Sequence, residues 1–444
     1  MRFFVPLKPN VTPKVSAVDD DFDAEEGDSV EDIQARYIFW RALFWLIMAF
    51  AVQTVASLAP ETVESLYSQT AYYYLVRWLS AVNKYSPKPI GEILLVGIIL
   101  WYIGFTLWYL GRAFRRETSL LDVLKVLVLQ LAWLFTFSFA AFLLMWGLNY
   151  QRQPIEDRMN LDLRAEGRQE AIEVGRRIID GINRNYSTRE VATATGTSMM
   201  TIGQQGLFQA IENSFQLENS LGTASQGGFS NPKPLIFSTV ATWLDIRAVY
   251  IPFTGEATYN EKLLDCDLPF AIAHAKAHQR GFAREDEANF IAFVICIKSN
   301  EPYVRYSGYL HGLKVLDFLA KSDVQDVEAL KAQIAAGPAV DVRARESFGA
   351  RSKSATFAPV ADSITNIYLR ANRIRGGLKN FSEDTPLIVN YMLRTSEIVP
   401  AAIPPASGAI PPANGSAIPR SATPLGESGI PRSAPTPYPA PPSR

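Results

Sequence analysis

Two of the three histidines in the chain lie four residues apart and could bind one metal ion. His274 and His278 fall within residues 269–279, which the sequence predicts to be a helix that ends before Gly281. A spacing of four places both imidazoles on one helix face, about 6 Å apart, where one zinc ion can bridge them. Core histidines that only satisfy hydrogen bonds give the same pattern, so the surrounding residues must decide.

An acidic cluster follows the two histidines. Gly281 lets the chain double back, and Glu285, Asp286 and Glu287 open the next predicted helix, residues 285–298. One of these carboxylates can then become a third ligand. Two histidines and one carboxylate leave a fourth zinc position for water, as in catalytic zinc sites. The alternative is a solvated helix start, where acidic side chains favour the helix dipole.

Several short motifs form a recognisable set along the chain. They are Trp-Gly-Leu-Asn-Tyr at 146–150, Ile-Pro-Phe-Thr-Gly-Glu at 251–256, Tyr259-Asn260, the stretch 269–290 around the histidines, and Arg-Tyr-Ser-Gly-Tyr at 305–309. With three apolar runs, they resemble the bacterial family called domain of unknown function 3810 over roughly residues 37–395. That family looks like a membrane-anchored branch of the zincin metalloproteases with H-E-x-x-H at this helix. The resemblance implies a zincin-like domain, a Zn²⁺ cofactor and an extracytoplasmic peptide or protein substrate.

The sequence departs from the family motif at Ala275, which stands at the position of the general-base glutamate. Alanine cannot accept a proton, and such a base contributes about 10²- to 10⁴-fold in rate, or roughly 3 to 5.5 kcal/mol. We therefore expect a metallopeptidase-like protein that is impaired in catalysis. It is either a natural pseudo-protease or an active parent trapped by an inactivating substitution. The alternatives are a non-catalytic module that binds a peptide or protein, and a purely structural membrane protein.

Glu285 is the predicted third ligand. Glu285 and Asn289 are four residues apart, like the Glu-x-x-x-Asp helix of related zincins, so Asn289 would support a ligand histidine from behind. Glu287 is the alternative ligand. A tighter turn would instead place Arg284 where some zincins have a third histidine.

Two further segments could contact a substrate. Tyr306, Tyr309 and His311 could supply an oxyanion donor, although a packed helix gives the same pattern. The predicted strand at residues 250–253 could pair with an extended peptide, and an ordinary core strand fits equally well. A pairing of residues 235–239 with 248–253 predicts a small antiparallel sheet.

Three uncharged apolar runs, at residues 42–60, 93–111 and 126–149, precede this domain. Each can cross a hydrocarbon core, which needs about 20 apolar residues, and aromatic residues near their ends favour membrane spans. The basic loop with Arg112, Arg115 and Arg116 should stay cytoplasmic, which places everything after Tyr150 outside. We expect a multi-pass protein of the bacterial inner membrane, with the lipid bilayer as a partner.

The predicted fold class is an α-helical membrane region with three transmembrane helices plus an α+β zincin-like domain, mainly helical with a small antiparallel sheet. The predicted organisation is an acidic disordered segment at 1–36, the membrane region at 37–150, the domain at 151–395 and a disordered Pro/Ala/Ser-rich tail at 396–444. Cys266 and Cys296 are predicted to be small core residues, with one disulfide as the alternative. A net charge of -1 gives no reason to expect nucleic acid as a partner.

Overall fold

A computed structural model gives the fold. It describes residues 30–161, 168–187, 191–192, 195–200, 202–320, 324–352, 354–374 and 376–395. The predicted disordered tail at 396–444, and residues 1–29 of the predicted acidic segment, lie outside the described residues. Helices dominate the described part of the chain, as predicted.

The N-terminal part is built on three long apolar helices. Its α-helices are α1 (Val30–Ser57), α2 (Pro60–Thr62), α3 (Tyr72–Asn83), α4 (Ile90–Phe114) and α5 (Leu120–Met145), with a π-helical segment at Val63–Ala71. Within them, Asp32–Ser57, Ile90–Phe114 and Leu120–Met145 are long and apolar enough to cross a membrane. The chain is therefore a membrane protein with three candidate spans. The first helix begins before the predicted boundary at residue 37.

The rest of the described chain is a layered helical domain with a small sheet. Its α-helices are α6 (Ile155–Arg158), α7 (Arg168–Asn185), α8 (Gly203–Leu217), α9 (Ser238–Trp243), α10 (Leu268–Gln279), α11 (Glu285–Ile297), α12 (Pro302–Gly312), α13 (Lys314–Ala320), α14 (Val324–Lys331), α15 (Ala336–Ser352), α16 (Ala358–Ala371) and α17 (Asp384–Arg394). Short 3-10 segments lie at Gly147–Gln151, Asn219–Ser225, Asp265–Asp267 and Gly377–Ser382.

The largest core surrounds α10 and α11. These two helices pack on each other, and α12 and α8 pack around them. Apolar residues occupy nearly every position of α11 after its first turn, so the helix is buried on all sides and not on one stripe. Cys266 and Cys296 are both buried and free, which confirms them as core residues and excludes the disulfide.

The sheet is mixed, and the prediction of an antiparallel one was wrong in part. β2 (Ala248–Ile251) pairs with β3 (Glu256–Tyr259) in antiparallel register, but β1 (Lys233–Pro234) pairs with β3 in parallel. The predicted strand at 235–239 is not a strand, because the Glu92 carboxylate accepts the N–H groups of Ile236 and Phe237 at 2.6 and 3.3 Å. Those amides are thereby lost to the sheet, and the chain turns into α9.

Candidate metal centre

A tight turn joins the two helices that carry the predicted ligands. At the end of α10 the N–H of Phe282 donates to the Ala277 carbonyl (3.2 Å) and the N–H of Gly281 donates to the His278 carbonyl (2.9 Å), which is a Schellman motif. Gly281 has a φ of +83°, in the left-handed region that favours glycine. The chain therefore reverses at once, and the first residue of α11, Glu285, faces the histidines.

The three predicted ligands His274, His278 and Glu285 come together in a small triangle. The two Nε2 atoms are 3.0 Å apart, and Glu285 Oε2 lies 3.4 Å from that of His274 and 3.5 Å from that of His278. Ligand atoms around one tetrahedral zinc ion lie roughly 3.3 Å apart, since each is about 2.0–2.2 Å from the metal. The buried Oε2 receives no hydrogen bond of good geometry. The three residues present therefore fit a zinc ion.

The hydrogen bonds behind the triangle favour metal binding. Nδ1 of His278 lies 2.7 Å from the Phe282 carbonyl oxygen. A carbonyl only accepts, so Nδ1 carries the proton and, in the neutral ring, Nε2 keeps a lone pair directed at the cluster. Asn289 interacts with His274. The sequence predicted that Asn289 would support one of the two ligand histidines.

Burial and mutual charge set the protonation of the cluster. Burial raises the pKa of Glu285, but the two histidines outweigh it and hold this pKa well below its usual range. Burial lowers the pKa of His274, and the neighbouring His278 lowers it further. Burial also lowers the pKa of His278, but Glu285 more than compensates and raises it. A metal ion requires an ionised carboxylate and neutral imidazoles. The pKa shifts of Glu285 and His274 favour that state, whereas a proton on His278 would have to leave when a metal binds.

The other predicted residues near the turn have different surroundings. Ala275 is fully buried beside His274, and its methyl group offers no proton acceptor. Glu287, the alternative ligand, accepts from the N–H of Ile155 at 3.2 Å and lies 3.7 Å from Arg284. Arg284 and Glu287 therefore pair with each other and lie outside the three-residue cluster.

The three predicted oxyanion donors have partners of their own. Tyr306 donates to Asp341 Oδ2 (2.7 Å), Tyr309 packs against Phe293, and His311 stacks on Phe270 and lies 3.1 Å from Asp384 Oδ2. Burial and the charge of Lys314 lower the pKa of His311 to about 3, so this imidazole is neutral. In the described part of the chain these contacts bring none of the three side chains to the cluster.

Sequence reasoning missed a pair of tyrosines beside Glu285. Tyr150 donates to the hydroxyl of Tyr368 at 3.1 Å. Burial raises the pKa of both phenols, and the Glu285 charge raises each further. Tyr150 ends the Trp-Gly-Leu-Asn-Tyr motif, which was the available signal. Tyr368 lies on α16, outside every motif that the sequence singled out.

Together, the fold and the site define a helical membrane protein with a cluster of two histidines and one carboxylate that can hold a metal ion. The family described as protein of unknown function (DUF3810) matches residues 67–389, which is most of the chain. The chain belongs to this family, and the resemblance of its motifs is confirmed. No curated protein and no solved structure matches the chain.

Proposed function

We propose that the chain is a membrane-anchored, zincin-like metallopeptidase homologue in which His274, His278 and Glu285 bind Zn²⁺ and Ala275 impairs peptide hydrolysis. The observation that carries the proposal is the triangle of two Nε2 atoms and one carboxylate oxygen, 3.0 to 3.5 Å apart. Structural histidines need only hydrogen-bond partners. Here three ligand atoms converge on one point, and the His278 tautomer leaves an Nε2 lone pair directed at the cluster.

The residues around the cluster have complementary roles in this proposal. When bound, zinc would act as a Lewis acid and activate water. Tyr150 donates to the Tyr368 oxygen, so the Tyr368 hydroxyl proton can be donated to a substrate carbonyl oxygen as negative charge develops there. Ala275 offers no proton acceptor at the position of the general base, so water attack would lack the group that usually takes its proton.

The orientation of the spans supports an extracytoplasmic site. The end of α1, the start of α4 and the end of α5 share one membrane side; the first two hydrogen-bond to the domain, and the third continues into it. The opposite side holds the α4–α5 loop with Arg112, Arg115 and Arg116. Short basic loops stay in the cytoplasm, so the domain would lie outside. We propose that it lies on the outer face of a bacterial inner membrane.

The edge of the sheet supports a peptide or protein as the substrate class. In the described sheet, whose order is β1-β3-β2, strand β2 lies at the edge. The Tyr72 hydroxyl donates to the Gln279 carbonyl on α10 (2.8 Å) and lies 3.0 Å from the Tyr250 hydroxyl on β2, which ties this edge to α10. An extended peptide that pairs with β2 would therefore run beside the cluster.

Metal analysis of matched histidine variants tests the proposal. The detergent-purified chain should contain one zinc ion per molecule by mass spectrometry, and His274→Gln should lose it. His311→Gln removes the third histidine, which is partly buried like His274, and should keep the metal. Absence of zinc from the unmodified chain after growth with zinc, or its retention in His274→Gln, would refute the site.

A non-catalytic binding module is the second candidate, and Ala275 is the observation that favours it. In that case the β2 edge of the sheet would capture a peptide or protein without cleaving it. Peptide capture that is unchanged in Ala275→Glu, with no turnover although zinc is bound, would favour this function over an impaired peptidase.

A further inference from the structure

Helix α16 exposes a continuous apolar stripe outside the three candidate spans. Its members are Phe357, Val360, Ile364 and Ile367, and the last two are 63% and 68% exposed. At about 100° per residue, these four positions fall within about 80° of the helix circumference. A stripe of this length is costly to leave in water.

The circumference of α16 is divided into three sectors. One sector is buried against the protein and contains Ala358 and Leu369. The polar sector contains Ser363 and Arg370, both exposed. The apolar stripe lies between the buried sector and the polar one. This helix packs on protein with one side, faces water with another and exposes apolar side chains on a third. That arrangement is typical of a helix that lies in a membrane interface.

A second apolar patch continues the stripe. Ile236, Phe237, Val240 and Trp243, in and beside α9, are each more than two-fifths exposed. The N–H of Ser354 donates to the Trp243 carbonyl at 3.0 Å, so the patch adjoins the segment that leads to Phe357. The two together are called the α9–α16 surface below.

Direct hydrogen bonds fix this surface to the ends of two spans. At the end of α1, Gln53 donates to the Ala371 carbonyl (2.9 Å) and Thr54 accepts from Arg373 (3.0 Å). At the start of α4, the Glu92 carboxylate accepts from the backbone of Ile236 and Phe237. Both ends of the α9–α16 surface therefore lie at the level where a span leaves the hydrocarbon core.

We propose that the α9–α16 surface inserts into the lipid interface as a membrane contact separate from the three spans. The occupant is the bilayer, because the surface is continuous with the ends of two candidate membrane spans. Arg370 and Arg373 flank it, where guanidinium groups can reach the phosphates while their stems stay apolar. The proposal does not depend on the metal cluster, and it holds whether or not the domain binds zinc.

Two variants that each add one cysteine on α16 test the proposal. Cys266 and Cys296 are buried, so an environment-sensitive maleimide dye will label Ile364→Cys and Ser363→Cys selectively, with the unmodified protein as the blank. Both positions are exposed, and neither substitution removes core packing. The labelled full-length chains are reconstituted in phosphatidylglycerol/phosphatidylcholine vesicles, and their thermal unfolding is compared with that of the unmodified chain.

The dye at 364 should show blue-shifted emission and several-fold stronger quenching by nitroxide-labelled lipids than the dye at 363. The dye at 363 should be the one that aqueous iodide quenches. Equal exposure of both dyes to iodide would overturn the proposal. The dye at 364 could instead be shielded from both quenchers and show energy transfer to another labelled chain or to a co-purified protein. That result would overturn the proposal in favour of a protein partner.

Discussion

The indole Nε1 of Trp146 donates to the backbone carbonyl of His278 at 3.0 Å. Trp146 directly follows α5, and its ring also meets the His278 imidazole edge-on, with centroids 5.9 Å apart. Tyr72 donates to the next carbonyl, that of Gln279. Two carbonyls at the C-terminal end of α10 thus accept hydrogen bonds from side chains of the membrane region, which fixes the cluster relative to the spans.

Replacing Trp146 by Phe should weaken both the fold and the metal site. The variant removes the indole donor while the Gly281 N–H still donates to the His278 carbonyl, so the expected loss is that of one hydrogen bond, about 0.5–1.5 kcal/mol. We expect a lower Tm in detergent and a larger zinc Kd, measured by competition with a chelator. Trp78→Phe is the control, because Trp78 is exposed on α3. Equal Tm and Kd in the two variants would show that this hydrogen bond does not position the cluster.

Gly281→Ala should disrupt the turn that brings Glu285 to the histidines. Besides its positive φ, an added Cβ would lie 2.9 Å from Asn149 Oδ1 and 3.0 Å from a ring carbon of Tyr72. We expect a loss of zinc stoichiometry together with a fall in Tm. Gly206→Ala is the matched control, since its Cβ meets nothing closer than 3.6 Å and alanine favours the helix interior. Full zinc occupancy in Gly281→Ala would contradict the role given to this turn.

The proximity of His274, His278 and Glu285 was predictable from the sequence because it depends on local structure. The spacing of His274 and His278, the glycine at 281 and the carboxylate at 285 all lie within 12 residues, so helix periodicity and turn preference sufficed. The three spans were equally accessible, because continuous apolarity over such lengths has few other causes.

The parts that failed depend on tertiary contacts. Residues 235–239 look like a strand, but the Glu92 carboxylate, more than 140 residues earlier, accepts two of their amides. Tyr368 meets Tyr150 across 218 residues, and no periodicity in α16 indicates this. No local pattern indicates that Tyr306 and His311 contact Asp341 and Asp384 either.

Glu212 should make the stability of the fold around α10 sensitive to acid. Its carboxylate lies 3.1 Å from Lys276 and 2.8 Å from Arg280, both buried on or next to α10. Burial raises the pKa of Glu212, but the two cations outweigh it and hold the pKa at about 2, below the ordinary 4.5. Because the folded pKa is depressed, the stabilisation is complete above about pH 4.5 and is lost as the pH falls toward 2.

Glu212→Gln should therefore lower Tm at neutral pH and flatten its acid dependence. Removal of the carboxylate leaves two buried cations without a counter-charge, at a cost of about 3–5 kcal/mol. The measurement is Tm in detergent between pH 7 and pH 3. Glu328→Gln, at an exposed position of α14, should reproduce the unmodified curve. A parallel shift of the Glu212→Gln curve at every pH would contradict this assignment of the acid-sensitive group.

Ala275→Glu should restore peptide hydrolysis if the cluster is a disabled peptidase site. A carboxylate next to His274 would supply the missing proton acceptor, and we expect a gain of about 10²- to 10⁴-fold in cleavage of casein or a membrane-anchored peptide. Ala275→Gln has the same size without the base and should stay inactive. Because Ala275 is fully buried, zinc content and Tm are measured for both variants. A zinc-loaded, folded Glu variant without turnover would leave the binding module as the better function.

In the Ala275→Glu background, Tyr368→Phe should lower the rate and spare the metal. The loss of one preorganised donor costs about 10²- to 10³-fold in kcat where it stabilises developing charge. KM should change little, because the phenol is expected to bind the reacting carbonyl more strongly in the transition state than in the ground state. Tyr303→Phe, another largely buried tyrosine on α12, controls for lost stability. An unchanged kcat with full zinc would assign the Tyr150–Tyr368 pair to packing between α16 and the end of α5.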